Sequence, residues 1–113
     1  MAGWIGVDLD GTLAKYDGWN GGSIGEPIPA MLSRVKKWLK EGREVKIFTA
    51  RAFRDDFGQI QLIKRWCKLH IGQELEVTAT KDFGMIELWD DRCVQVVPNT
   101  GLTVQEQWLG KQE

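Results

Sequence analysis

The stretch Trp4-Ile5-Gly6-Val7-Asp8-Leu9-Asp10-Gly11-Thr12-Leu13-Ala14 decides how this chain is read. An apolar run ends in two carboxylates one residue apart, followed by a Gly-Thr turn. The run has the length and composition of a buried strand. Along a strand, the spacing of Asp8 and Asp10 sets both side chains on one face. Where the strand ends, the backbone can turn and aim both at a common point. Packing does not explain two acids there, because charges are costly to bury unless they are paired or hold a metal. The stretch therefore predicts a strand that delivers acidic side chains to a site.

Working outward, Lys15 to Pro27 is rich in glycine and punctuates the chain instead of building a regular element. Positions 14–27 read as a flap. Its glycines lack the spacing, and the following Lys-Ser/Thr, of a phosphate-cradling P-loop. Ile28, Met31, Leu32, Val35, Trp38 and Leu39 then recur at three and four, with Pro29 in the first turn and Gly42 past the end. That pattern predicts an amphipathic helix. Glu44 to Thr49 reads as a second strand. Phe53, Phe57, Ile60, Ile63, Trp66, Cys67 and Leu69 or His70 mark a second helix closed near Gly72. Leu75 to Ala79, Met85 to Trp89 and Val94 to Val97 read as further strands, and Thr103 to Glu113 as a short terminal helix.

Strands alternating with helices predict an α/β domain with a central, mostly parallel sheet of about five strands and helices on both faces. In such open sheets the ligand sits beyond the carboxyl ends of the strands, where strand order reverses. With 113 residues, 42% hydrophobic and 27% charged, the chain has the size of one globular domain, so 1–113 is read as a single unit. A net charge of −1 announces no global attraction to nucleic acid, although a local cationic patch stays open. Met1-Ala2-Gly3-Trp4 enters the first strand without a basic and apolar leader, and no run approaches membrane-spanning length. The expectation is a cytoplasmic protein with no membrane partner. Cys67 and Cys93 form neither a CxxC pair nor a zinc set and read as reduced, packed thiols. Trp4, Trp38, Trp66 and Trp89 fall on strand or helix positions and read as core.

The polar residues now gather at strand ends: Asp8 and Asp10 after the first, Thr49 and Arg51 after the second, Lys81 after the third, Asp90 and Asp91 after the fourth. Carboxylates in one crevice repel by about 4 kcal/mol per pair at ~4 Å and an effective dielectric near 20, so a cation belongs among them. A hard, oxygen-seeking ion such as Mg²⁺ meets that need while keeping sites for substrate phosphate oxygens. The set suits phosphoryl transfer, where alignment and charge neutralisation carry the catalysis. Asp8 would be the nucleophile. Asp10 would protonate the leaving alkoxide and then deprotonate the attacking water.

The segment Asp8-Leu9-Asp10-Gly11-Thr12-Leu13 resembles the signature of the haloacid dehalogenase (HAD) superfamily, whose members are mostly magnesium-dependent phosphatases working through an aspartyl-phosphate. The family's further pieces follow in order: Thr49 closing a strand, Lys81 farther on, and Asp90 with Asp91 closing a later strand. The resemblance implies a three-layer α/β/α Rossmann-like domain. It implies that Thr49 hydrogen-bonds the phosphoryl oxygens and that Lys81 holds the phosphoryl group and the nucleophile. It also implies a Mg²⁺ bound by Asp8, Asp90 and Asp91 and by the main-chain carbonyl of Asp10. Thr12, inside the first motif, joins the substrate-binding set.

HAD enzymes usually gain selectivity from cap domains inserted after the first motif or between the second and third. Here the gaps hold only the flap and one helix, then one helix and a strand, so the expectation is a capless site. Such a site favours large phosphorylated substrates or a partner subunit acting as lid, which leaves a homo-oligomer open. Phe48-Thr49-Ala50-Arg51 and Trp89-Asp90-Asp91-Arg92 look like the second and fourth motifs of polynucleotide 3′-phosphatase domains and of deoxyribonucleotidases. Arg51 could then contact a phosphate, and Trp19 could stack a base or sugar. Two alternatives stand beside a phosphatase for nucleotides or polynucleotide 3′-phosphate ends. One is a binding module that kept the fold; the other is a phosphotransferase acting on sugar phosphates.

Overall fold

The computed structural model describes residues 3–55 and 58–110. Four strands run in parallel in the order β3-β2-β1-β4: β1 (Trp4–Val7), β2 (Glu44–Phe48), β3 (Glu76–Thr78) and β4 (Met85–Trp89). The chain builds outward from β1 to β3, then returns to place β4 on the other side of β1. The point of reversal therefore lies at the carboxyl ends of β1 and β4, where the acidic pairs stand.

Helix α1 (Pro29–Lys40) starts on Pro29, whose missing N–H and preset φ suit a first turn. It ends in a left-handed glycine: Gly42 has φ +82°, its N–H donates to the Leu39 carbonyl, and the Arg43 N–H donates to the Trp38 carbonyl. This paired closure satisfies carbonyls the helix leaves open. Helix α2 (Gln59–His70) buries Ile63, Trp66 and Cys67. Its start differs from the sequence expectation. The Thr49 hydroxyl accepts the Arg51 N–H, and the chain first makes a 3-10 turn at Ala50–Ala52. Phe53 is left 78% exposed before α2 begins, and Phe57 lies outside the described residues.

Register places Ile5 beside Val45, Val7 beside Ile47, and Ile47 beside Val77, so these side chains share one sheet face. They form one core cluster with Met31 and Val35 of α1 and with Ile63, Trp66 and Cys67 of α2. Both long helices thus lie on the same face. The reason is topological: two successive right-handed crossovers laid down in one direction across a sheet put their helices on the same side. The expected layer on the other face is not built by α1 or α2. That face carries Trp4, Gly6, Lys46 and Leu88; the Lys46 ammonium sits 4.6 Å from the Trp4 ring centre, and Leu88 stays exposed.

The expected fifth strand is also absent among the described residues. Val94 and Val96 are exposed, and the segment makes a single bridge from Val96 to Thr103 before helix α3 (Val104–Gly110). Apolar residues there do not meet the sheet, so the alternation of residue types was misleading. Residues 111–113 of the expected terminal helix lie outside the described residues. Cys67 is buried as expected, whereas Cys93 is exposed. Trp4 and Trp66 are buried, and Trp38 packs on Trp89 with ring centres 5.2 Å apart. No helix among the described residues is long and apolar enough to cross a membrane.

The flap is closed at its neck. Lys15 N–H donates to the Glu26 carbonyl and Ile28 N–H to the Leu13 carbonyl, while the Trp66 indole donates to the Gly25 carbonyl at 3.1 Å. Gly25 faces the Lys15 carbonyl so closely that a Cβ could not be accommodated without moving backbone. Gly25→Ala should therefore cost about 1–3 kcal/mol, read as a lower urea midpoint with an unchanged slope. An unaltered midpoint would mean that the neck is not packed as described.

Candidate active site

Strand β1 ends beside β4: the Asp8 N–H donates to the Trp89 carbonyl at 2.9 Å. This one bond sets Asp8 next to Asp90 and Asp91. Past Asp8 the chain winds tightly on itself, with the Leu9 carbonyl accepting the N–H groups of Thr12, Leu13 and Ala14. Leu9, Leu13 and Ala14 are buried, which anchors the turn in the core. Gly11 adopts φ +89°, and a Cβ there would meet the Asp91 carboxylate at 2.5 Å. Glycine is needed for both reasons, one conformational and one steric.

Carboxylate oxygens of Asp8, Asp90 and Asp91 all lie within 4.8 Å of one another. The Thr12 hydroxyl stands between two of these acids. It accepts the Asp91 N–H at 3.0 Å and can donate its single proton to Asp8 Oδ2 or to Asp91 Oδ1, each at 3.3 Å. Asp90 is steadied by the Arg92 N–H at 2.8 Å. The electrostatic consequence falls on Asp8. Burial first, then the charges of Asp90 and Asp91, push its carboxyl from an ordinary 3.8 up to about 7. Three carboxylate oxygens this close together could hold a hard divalent cation of the Mg²⁺ kind. The Asp10 carboxylate is not in this group.

Asp10 instead faces Arg51. The guanidinium grips it as a fork, with Nε to Oδ2 at 2.7 Å and Nη2 to Oδ1 at 2.8 Å. Thr49, 3% exposed, caps the turn that carries Arg51 and at the same time lines the cleft. These residues open into a space of about 840 Å³ whose wall also includes Tyr16, Trp19, Phe48, Phe53, Arg54 and Arg92.

Seven of the residues singled out in the sequence line this cleft or its acidic floor: Asp8, Asp10, Thr49, Arg51, Trp19, Asp90 and Asp91. Thr12 joins them through its hydrogen bonds to Asp8 and Asp91. Lys81 is not brought in. It is exposed on the β3–β4 connection, two residues beyond Ala79, which does line the cleft. Gln59 was not foreseen. It is 8% exposed at the start of α2 and accepts an Arg51 N–H at 3.0 Å. A polar residue at the first helical position reads as solvated unless the flap is known to fold over it.

Because the fold raises the Asp8 pKa above that of the unfolded chain, this group's contribution to stability is full below about pH 4. It is lost as pH rises through about 7. Asp8→Asn should therefore melt higher than the wild type near ~pH 8 without metal, and the stabilisation that Mg²⁺ gives the wild type should vanish in the variant. Thermal melts with and without Mg²⁺ check both, and equal Mg²⁺ stabilisation in the two proteins would remove Asp8 from the ligand set.

No family model matches the chain, and no curated protein matches it significantly. Among solved structures, a conserved protein from Bacteroides thetaiotaomicron is similar over 100% of this chain and 93% of its own, at 20% identity and a TM-score of 0.64. A likeness at that identity speaks for the α/β fold alone.

Proposed function

We propose that this protein is a Mg²⁺-dependent phosphomonoesterase of the HAD type that works through an aspartyl-phosphate on Asp8. The observation that supports this best is the cluster of Asp8, Asp90 and Asp91 oxygens within 4.8 Å, facing a cleft that also holds Asp10 and Thr49. A divalent cation bound by the cluster would keep Asp8 ionised and draw charge from the phosphoryl oxygens.

The chain's own residues then divide the work. An Asp8 carboxylate oxygen attacks phosphorus, and the bond from phosphorus to the ester oxygen breaks. Asp10 delivers a proton to that oxygen, so the alcohol leaves neutral. In the second half Asp10 takes a proton from water, whose oxygen attacks phosphorus and frees Asp8 and inorganic phosphate. Thr49 donates its hydroxyl proton to a phosphoryl oxygen. Lys81, exposed two residues past Ala79 in the cleft wall, would have to swing inward to add its positive charge to the bound phosphoryl group.

The wall suggests the substrate class. Tyr16, Trp19, Phe48 and Phe53 offer aromatic surface beside Arg54 and Arg92, which suits a planar, anionic leaving group such as a nucleotide or a polynucleotide 3′-phosphate end. The unpaired thiols of Cys67 and Cys93 fit the cytoplasmic location read from the sequence.

Phosphate release from an aryl phosphate should require both Mg²⁺ and Asp8. Asp8→Asn should abolish turnover, and Asp10→Asn should slow it more than tenfold; retention of over about a tenth of the activity in either variant would overturn the mechanism. Asp90→Asn should raise the Mg²⁺ concentration needed for half-maximal rate.

A further inference from the structure

Arg51 entered as a residue for substrate phosphate, yet its hydrogen-bonding capacity is already filled from within the chain. A guanidinium has five N–H donors, and here each has an acceptor. Nε and one Nη2 proton go to the two oxygens of Asp10, at 2.7 and 2.8 Å. The other Nη2 proton goes to the Ser23 carbonyl at 3.0 Å. The Nη1 protons go to the Gly22 carbonyl at 2.8 Å and to Gln59 Oε1 at 3.0 Å. The Trp19 ring lies against the cation, 4.9 Å from centroid to Cζ. The Arg51 side chain is only 5% exposed.

Four residues on three separate segments are thereby tied to one rigid plane. Gly22 and Ser23 are the flap tip, Asp10 belongs to the turn after β1, and Gln59 is the first residue of α2. Among the described residues, the hydrogen bonds that tie flap positions 16–24 to the body come from Arg51. The remaining ties, from Lys15, Glu26 and Trp66, are at the neck. Gln59 has a second reason to matter. It is packed against Gly22 so tightly that a Cβ on Gly22 would come within 2.8 Å of its Nε2.

We propose that Arg51 is a latch that holds the flap 14–27 closed over the cleft, and that Gln59 is the positioning residue that sets the latch. The latch itself is independent of any chemistry, whereas its effect on turnover rests on the phosphatase reading above. A planar fork makes the coupling stiff: the flap cannot lift without losing both carbonyl bonds and the Trp19 contact. Gln59 fixes the rotation of the plane about the Asp10 fork, so the same group that orients Asp10 sets the flap height. An incoming substrate therefore meets a closed flap, and the flap's release and the orientation of Asp10 are one event.

The test is hydrogen exchange of the flap in the full chain without substrate, compared among wild type, Gln59→Leu, Gln59→Glu and Trp19→Ala. Leucine removes the acceptor and leaves a buried donor unmet, so exchange at 16–24 should rise about fivefold, the worth of one hydrogen bond, with β1 and α1 unchanged. Glutamate keeps an acceptor and should leave flap exchange near the wild-type rate. Trp19, 61% exposed, can be replaced without a core defect, and Trp19→Ala should also quicken flap exchange. On an aryl phosphate, kcat should fall in Gln59→Leu and recover in Gln59→Glu. Flap exchange that is unchanged in Trp19→Ala and in a folded Gln59→Leu, or raised equally by Leu and Glu, would overturn the latch. Should Gln59→Leu fail to fold, Trp19→Ala and Gln59→Glu decide the matter. A latch that passes by exchange in a chain without phosphatase activity would leave the latch standing and refute the function instead.

Discussion

Asp8, Asp90 and Asp91 are forced together by the sheet itself, because β1 and β4 are hydrogen-bonded neighbours that end at the same level. Their like charges are the constraint around which the surrounding residues are arranged. Gly11 has no side chain because the Asp91 carboxylate occupies that space, and Thr12 places its hydroxyl where it can bond two of the acids. Asp8 responds by holding its proton to about pH 7. A cation placed among the three acids, whose oxygens lie within 4.8 Å of one another, would relieve that repulsion.

Asp10 is kept out of that crowd by Arg51, and this division shapes the site. One acid of the first motif faces the oxygen cluster, while the other is fixed by a two-pronged ion pair that is largely shielded from water. Two carboxylates two positions apart thus face different partners, one an acidic cluster and the other a guanidinium. The same guanidinium donates to the Gly22 and Ser23 carbonyls of the flap, so Asp10 and the flap are tied to a single side chain.

The layering of the domain follows from strand order. Because β1, β2 and β3 are laid down in one direction, α1 and α2 share a face and bury Ile5, Val7, Val45, Ile47 and Val77. The return to β4 passes through a short connection with no helix, and so the opposite face is covered by side chains such as Trp4 and Lys46 and leaves Leu88 exposed. Hydrophobic alternation could not reveal this, as it reports that a strand has an inner and an outer face but not what lies on each. For the same reason Val94 to Val97 carried the composition of a strand without a neighbour to pair with.

The sequence alone determined β1 and its acidic end, α1 with its proline start and glycine stop, and the strand-end positions of Thr49, Asp90 and Asp91. These are local signals, set by apolar periodicity, capping chemistry and the cost of burying charge. Tertiary structure decided which of those polar residues meet. It drew Arg51 onto Asp10 and the flap, buried Gln59 against Gly22, and left Lys81 and Cys93 in solvent. Such pairings join positions 41 and 29 residues apart in the chain. They depend on the height at which each strand ends and the path the flap takes back to α1, neither of which any single stretch of sequence encodes.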